Sequence, residues 1–442
     1  MLLRPQIALL LTIIFIIFIL YIEREQNKHI SKAIWIPSLW LLYTGSKGLG
    51  YYLNLKTTIE AGSPPDRYFL IFLGIIAIII LLRRNFPLIE IIKRNQLFTI
   101  IILYMLISIS WSQWPVISLK RWGREVIAFL MAGLLVSEQF PIKALVSILR
   151  RVIYISLPFS ILLIKYYPLY GREYNRWTGE LMWIGVASQK NGLAMLCSLS
   201  AVFLIWSIWQ NISIWPSVKS KLIILIDIFM LLLAIYLMMG PRRTFTYSST
   251  SFLSLLTGLI TIILLKFSIH KAIDIKKKLL SIAIIIIILG TLMPFIGKIP
   301  LKTLPQILGR DSTLTGRTQI WTSLIRYAKR NIFLGYGFGG FWTTALRETI
   351  AANAHSGYLD TILELGVTGL FIFSFFLISI INKATKLIEN EWSIFLFFVS
   401  IVFMYLVHNI SETLMGNFIS LPSAMILFIS FLSNQAYLKI EK

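Results

Sequence analysis

The sequence predicts an all-α polytopic membrane protein of about 12 transmembrane helices (roughly 11–13), with one large, partly helical outer loop ahead of the last spans. Three observations carry this. Of 442 residues, 57% are hydrophobic and 14% charged, against about a quarter charged in soluble domains. The apolar residues come in long continuous runs from end to end, which is not the alternating pattern of a β-barrel. One long polar interval, 309–366, interrupts them late in the chain.

The first run, 5–22, follows Arg4 and superficially resembles a signal peptide, but no small-residue cleavage site follows, so it reads as an uncleaved span. The second, 33–53, is weakened by Gly45, Ser46, Lys47, Gly48 and Gly50 and is open to a re-entrant reading. Further spans are expected at 68–82, 97–111, 125–137, 152–168, 192–211, 222–240, 250–268, 279–297, 360–382, 393–409 and 418–434. No internal repeat or linker divides them. The expected organisation is a helix bundle over 1–297, the large loop over 298–359 and C-terminal helices over 360–442. Cys197 is the only cysteine and lies in an apolar run, which leaves no intramolecular disulfide and no cysteine metal site.

The formal charge is +23, from 42 Lys and Arg against 19 Asp and Glu. In a soluble chain this would point to nucleic acid; here cationic flanks holding spans against anionic headgroups explain most of it. The basic stretch Lys271 to Lys278 and the pairs Arg83-Arg84 and Lys93-Arg94 are expected on the cytoplasmic side, which puts the large loop outside and the Lys439 to Lys442 tail inside. Cations then remain on the outer side: Lys120, Arg121 and Arg124; Arg172, Arg176 and Lys190; Arg242 and Arg243; and Arg310, Arg317, Arg326, Lys329, Arg330 and Arg347 in the loop. Anchoring gives no reason to place so many there. An anionic ligand does.

Lys190 and Asn191 stand where a helix begins, a natural phosphate seat of helix N-terminus, cation and amide; the same residues also make an ordinary capped helix with an interfacial lysine. Gly240-Pro-Arg-Arg forms a tight turn whose two arginines suit phosphate through their planar forks, or simply snorkel. Arg121 and Arg124 share a helix face in an interfacial aromatic belt that needs no function. In the loop, Gly316-Arg317 opens a helix with Ile320, Leu324 and Tyr327 on one side. Gly335 to Trp342 is glycine-dense and aromatic, so that backbone can approach a ligand while Tyr336, Phe338, Phe341 and Trp342 stack on sugars. His355, one of four histidines, lies just ahead of Asp360 and Glu364, which share a helix face; a turn at Gly357 folds it back toward them. His408 is expected to be a packed polar span end. No Asp-x-Asp occurs and outer carboxylates are scattered, so guanidinium groups rather than a metal or other cofactor would neutralise a departing pyrophosphate.

The stretches AGSPPDR, SQKNGLA, GRDSTLTGRTQIW, NIFLGYGFGGFW and AHSGYLDTILELGVTGL, in this order, resemble the O-antigen ligase and O-antigen/exopolysaccharide polymerase superfamily of bacterial membrane glycosyltransferases from about residue 60 onward. The resemblance implies a multi-pass inner-membrane protein whose periplasmic loop carries a catalytic histidine, here His355; from their place on the following helix, Glu364 or Asp360 is expected to hold its imidazole. It implies an undecaprenyl-pyrophosphate-linked glycan donor, held by Arg243 or Arg242 and by one residue of the Arg172 to Lys190 segment, with Arg317 the loop's own candidate, and a glycan or lipid A-core acceptor; Asn191 and Arg121 are added to the donor side from the residue reading alone. The donor half would lie in 1–297 and the catalytic half in 298–359. An inverting, metal-independent transfer is expected, with the GRDSTLTGRT wording leaning toward exopolysaccharide polymerases. Two departures stand out: His355-Ser356 where many relatives have His-Asn, and Pro-Arg-Arg-Thr after the span near Gly240. A transporter or flippase of lipid-linked oligosaccharide is the alternative; against it, mid-span regions look nearly free of charge.

Overall fold

The computed structural model describes residues 3–55, 62–175, 179–213, 218–241, 243–267, 272–296 and 316–439. Arg176, Arg242, His270, Arg310 and the part of the expected loop over 297–315 lie outside them.

Apolar runs become helices because a helix satisfies every backbone group internally, the condition for crossing hydrocarbon. Among the described residues eight helices are long and apolar enough: α1 (Pro5–Gln26), α4 (Pro64–Arg83), α8 (Pro141–Tyr166), α10 (Lys190–Ser213), α11 (Val218–Met239), α12 (Ser249–Phe267), α13 (Ala272–Ile296) and α16 (Gly357–Ala384). A ninth is counted if α5 (Leu88–Arg94) and α6 (Gln96–Ser108), which meet at 96°, are one span. This is short of the expected 12 or so. The rest of that expectation falls on α17 (Trp392–His408) and α18 (Leu421–Lys439), whose described apolar stretches are shorter, and on α7 (Pro115–Val136), whose first half carries Lys120, Arg121, Arg124 and Glu125. Between α8 and α10, a turn α9 (Pro168–Gly171) leads into an antiparallel hairpin of β1 (Arg172–Tyr174) and β2 (Leu181–Trp183), with Arg172 opposite Trp183.

Hydrogen bonds orient the first hairpin. The start of α1 lies beside the end of α8, where Tyr167 Oη donates to Pro5 O at 3.2 Å. At the other face Ser31 Oγ donates to Glu138 at 2.6 Å, and Arg84 pairs with the same carboxylate at 2.7 Å. The short helix α2 (Trp35–Thr44) then carries the chain back, so that Lys47 Nζ reaches Gly185 O at 3.0 Å. The weak second run therefore passes from one face to the other, and the four-residue turn α3 (Leu49–Tyr52) follows it.

The spans are not free of charge, contrary to the reading from hydropathy. Arg150 on α8 pairs with Asp227 on α11 at 3.3 Å, and Asp227 also accepts from Tyr154 (2.5 Å) and Ser207 (2.8 Å). Arg151 pairs with Glu23 on α1 at 3.1 Å and stacks on Trp35. All four ions are buried. Paired and hydrogen-bonded, they lock α8 to α1, α10 and α11.

The ends of α2, α6, α8, α13 and α17 and the starts of α4, α7, α10, α12 and α16 share one face of the bundle. There α14 (Arg317–Arg330) and α15 (Thr344–Thr349) lie, with α14 packed against α13. Trp321, Leu324 and Ala328 bury one side of α14, and Trp321 Nε1 donates to Ala354 O at 2.9 Å.

Candidate active site

The segment 331–342 does not stand free. Helix α16 breaks at Gly366, whose φ of 69° and ψ of −176° lie where side chains are not tolerated, and a Cβ there would overlap Phe333 O. The loop repairs the break: Val367 N donates to Ile332 O at 2.8 Å, and Tyr336 N donates to Leu363 O at 2.9 Å. Tyr104 Oη caps Leu365 O at 2.9 Å. The close backbone approach that the glycines permit is thus to α16. Phe338, Phe341 and Trp342 are buried, and Phe341 packs against Tyr336 at 5.2 Å between centroids. They form a packed cluster rather than the open sugar-stacking surface the sequence implied. Tyr336 itself is half-buried, its Oη donating to Tyr327 O at 3.2 Å.

Asp360 and Glu364 serve the same loop. Trp342 Nε1 donates to Asp360 Oδ1 at 2.8 Å, and Gly339 N donates to Glu364 Oε2 at 3.1 Å. Arg121 reaches in from α7 to donate to Gly339 O. The expectation that Asp360 or Glu364 holds the imidazole is corrected here: both carboxylates are spent on loop donors, and the partner of His355 is Glu412.

That partner comes from the turn after α17. Asn409 caps the helix end and accepts Leu414 N (3.0 Å) and Met415 N (2.6 Å) on its side chain, which curls the chain and turns Glu412 inward. Gly357 N donates to Asn409 O at 2.9 Å and Glu412 O at 3.1 Å, and a Cβ on Gly357 would overlap Asn409. Ser356, the departure from His-Asn, is buried and caps α16 by accepting Leu359 N at 3.4 Å. One residue earlier, His355 takes a left-handed backbone (φ 47°), rare for a residue with a side chain. Its Nδ1 lies 3.4 Å from Glu412 Oε2.

Glu412 Oε1 accepts from Arg317 at 2.5 Å and from Asn191 Nδ2 at 2.7 Å. The single carboxylate therefore joins four elements: the start of α10, the start of α14, the segment before α16 and the turn after α17. Burial alone would push its carboxyl up, but the hydrogen bond with His355 and the charges of Arg317, His355 and His408 outweigh it and hold the carboxyl down at about 2. Arg317 is buried with Nη1 unpartnered among the described residues, and burial pulls its guanidinium below the usual range against the pull of Glu412. His408 is buried and bonds Ser254 Oγ at 3.0 Å, a packed span end.

Of the other expected residues, Asn191 touches Glu412. Asn191 Oδ1 accepts from Ser248 Oγ at 3.2 Å, while Lys190 lies over the Tyr247 ring at 5.1 Å. Arg243 is exposed with φ 55° in the turn that leads to Ser248. Arg172 Nε donates to Ile164 O at 2.6 Å, tying the hairpin to α8. Among the described residues no group of three or more His, Cys, Asp and Glu side chains is placed to hold a metal. Sequence reading passed over Glu412 as a scattered outer carboxylate; its only signal was its place in HNISETL, directly after a span.

A family profile described as O-Antigen ligase matches residues 229–374, which include Arg317 and His355 but not Glu412 or Asn191. The chain is 24% identical over 305 residues to exopolysaccharide production protein ExoQ of Rhizobium meliloti (strain 1021), covering 65% of this chain and 65% of that protein. The aligned region thus spans just under two thirds of the relative's length.

Proposed function

We propose that this chain, which resembles the O-antigen ligase profile over residues 229–374 and an exopolysaccharide production protein over 65% of its length, is a member of the O-antigen ligase and O-antigen/exopolysaccharide polymerase superfamily and an inverting membrane glycosyltransferase acting on undecaprenyl-pyrophosphate-linked glycan at the periplasmic face of the inner membrane. The observation that carries this reading is the shared carboxylate: Glu412 holds His355 on one oxygen and Arg317 on the other. A carboxylate at Nδ1 favours the tautomer with its proton there, leaving Nε2 to accept the proton of an acceptor hydroxyl. The hydroxyl oxygen attacks the anomeric carbon and the bond from that carbon to the pyrophosphate oxygen breaks. The electron pair leaves with polyprenyl pyrophosphate, the proton passes to His355, and the configuration at the anomeric carbon is inverted. The free Nη1 of Arg317 is the donor a pyrophosphate oxygen would satisfy, with Arg243, Lys190 and Asn191 on the same face. Division into a donor-holding part over 1–297 and a catalytic part over 298–359 is amended in this proposal by Glu412, which brings the C-terminal helices into the site.

Transfer from a lipid-linked donor in membranes tests the proposal. His355→Ala lowers transfer about 10²–10⁴-fold if the histidine is the base; near-normal transfer by well-expressed His355→Ala and Arg317→Gln proteins would sink it. The transporter reading draws on the ion pairs inside the bundle, Arg150 with Asp227 and Arg151 with Glu23. Each is mutually neutralised, and scrambling of lipid-linked glycan in acceptor-free liposomes separates transport from transfer.

A further inference from the structure

Some 280 Å³ of cavity lies between α4 and α7, on the face of the bundle that carries the candidate site, and its lining includes none of Arg317, His355 and Glu412. Its walls are two helical stripes. Helix α7 contributes Ile117, Lys120, Arg121, Arg124 and Ile127, at spacings that keep one face; α4 contributes Arg67, Leu70 and Ile71. A Cβ built on Gly123, or on Gly62 at the mouth, would meet nothing within 4 Å, so the space is open at both. At about 30 Å³ per water the cavity holds on the order of nine waters, room for a phosphate or pyrophosphate group.

Arg67, Lys120, Arg121 and Arg124 line this space; Arg121 also lies within the field of Glu364, and two further carboxylates are engaged by backbone donors. Asp66 accepts Leu49 N at 2.6 Å and Gly50 N at 3.4 Å, and Glu125 accepts Phe418 N at 2.8 Å. Lys120 and Arg124 make no hydrogen bond or ion pair among the described residues. Like charges gathered on one wall repel unless an anion joins them. Below the cations the lining is apolar, and exposed Ile71, Phe72 and Ile75 continue it along α4. An anionic head above a hydrocarbon surface fits an amphiphile.

Two links join the cavity to the candidate site. Arg121 donates to Gly339 O, and the neighbouring Gly339 N binds Glu364. The turn that presents Glu412 runs on to Phe418, bound to Glu125, and to Ile419, which lines a smaller cavity of about 180 Å³ shared with Arg124.

We propose that the α4–α7 cavity is a second seat for the phosphate-bearing head of a membrane lipid, separate from the Arg317–Glu412–His355 site. The further assignment, that this lipid is the glycosyl acceptor, rests on the transfer reaction proposed above; the seat itself does not. An acceptor that is itself a lipid phosphate needs its own cationic clamp, because the first is filled by the donor.

Equilibrium binding in phosphatidylcholine nanodiscs tests the seat, with undecaprenyl pyrophosphate as one probe and phosphatidylglycerol as the other, read by native mass spectrometry. Wild type takes up two equivalents of the pyrophosphate. Lys120→Gln/Arg124→Gln takes up one, with the second at least tenfold weaker, and Arg317→Gln loses the other. Gly123→Leu, which keeps every cation and fills the open space, also takes up one, so a poorly folded double variant does not blunt the test. Two equivalents bound with unchanged affinity by a folded Gly123→Leu or double variant overturns the seat. Equal occupancy of it by phosphatidylglycerol overturns the acceptor assignment. Two equivalents retained by a folded Arg317→Gln protein counts against the proposed reaction and not against the cavity.

Discussion

His355 Nδ1 and Glu412 Oε2 lie 3.4 Å apart although 57 positions separate them in sequence, and the same carboxylate holds Arg317. Glu412→Gln keeps the size of the side chain and removes its charge, leaving the buried Arg317 cation uncompensated. Breaking one partner from a buried pair costs about 3–5 kcal/mol. The expected outcome is a lower melting temperature together with transfer reduced about 10²-fold or more, beyond what loss of folded protein explains; unchanged transfer per folded molecule would remove Glu412 from the mechanism.

The same group gives a pH signature. Its carboxyl is held at about 2 against an ordinary value of 4.5, so the folded state binds fewer protons than the unfolded state between those values. Stability from Glu412 is fully present above about 4.5 and is lost as pH falls toward 2, on the order of 3 kcal/mol in all. The melting-temperature gap between wild type and Glu412→Gln is expected to stay constant above pH 5 and to close as pH falls below 4.5. A gap that stays open down to the lowest pH at which both proteins fold contradicts this.

Arg317→Lys is expected to separate folding from donor binding. A lysine ammonium can keep the ion pair with Glu412, but it lacks the second arm that Nη1 offers. Near-normal stability with donor KM raised about tenfold or more is the expected result; a lysine variant with wild-type KM would show that Nη1 does not meet the donor.

Most of the fold was legible because apolar runs and helical spans obey the same constraint. The misplaced span starts share one cause. Hydropathy windows stop at charge, so the span expected at 152–168 began just after Arg150 and Arg151, whereas α8 begins at Pro141 and buries both. The span expected at 125–137 likewise excluded Lys120, Arg121 and Arg124, which belong to α7 and line its cavity. His355 and Arg317 stood out by motif. Glu412 did not, because nothing local marks a carboxylate whose partners come from three other elements. The glycine-aromatic stretch was seen but misread, since its partner, the break at Gly366, lies inside a run that looked like an uninterrupted span.

That break gives the next prediction. Gly366→Ala forces a side chain into backbone space only glycine occupies and drives it against Phe333 O. Such strain costs about 1–3 kcal/mol before the overlap is counted. Folded yield is expected to fall sharply, and the surviving protein should show faster proteolysis across 332–340, whose bonds to α16 depend on the break. A stable, protease-resistant alanine variant would mean that the loop does not need it.

The ion pairs inside the bundle set the last test, because they decide whether charge in the spans belongs to transport or to architecture. Asp227 gathers Arg150, Tyr154 and Ser207 from two other helices and is fully buried. Asp227→Asn keeps the shape and strands Arg150, a change worth about 3–5 kcal/mol. If the cluster is architectural, folded yield and melting temperature drop while transfer per folded molecule, and lipid scrambling in acceptor-free liposomes, stay as in wild type. If the cluster carries a moving ion or headgroup, scrambling is present in wild type and vanishes in the variant. Reversing the pair with Arg150→Asp/Asp227→Arg is the sharper control, since restored stability without restored function would separate the two roles in one protein.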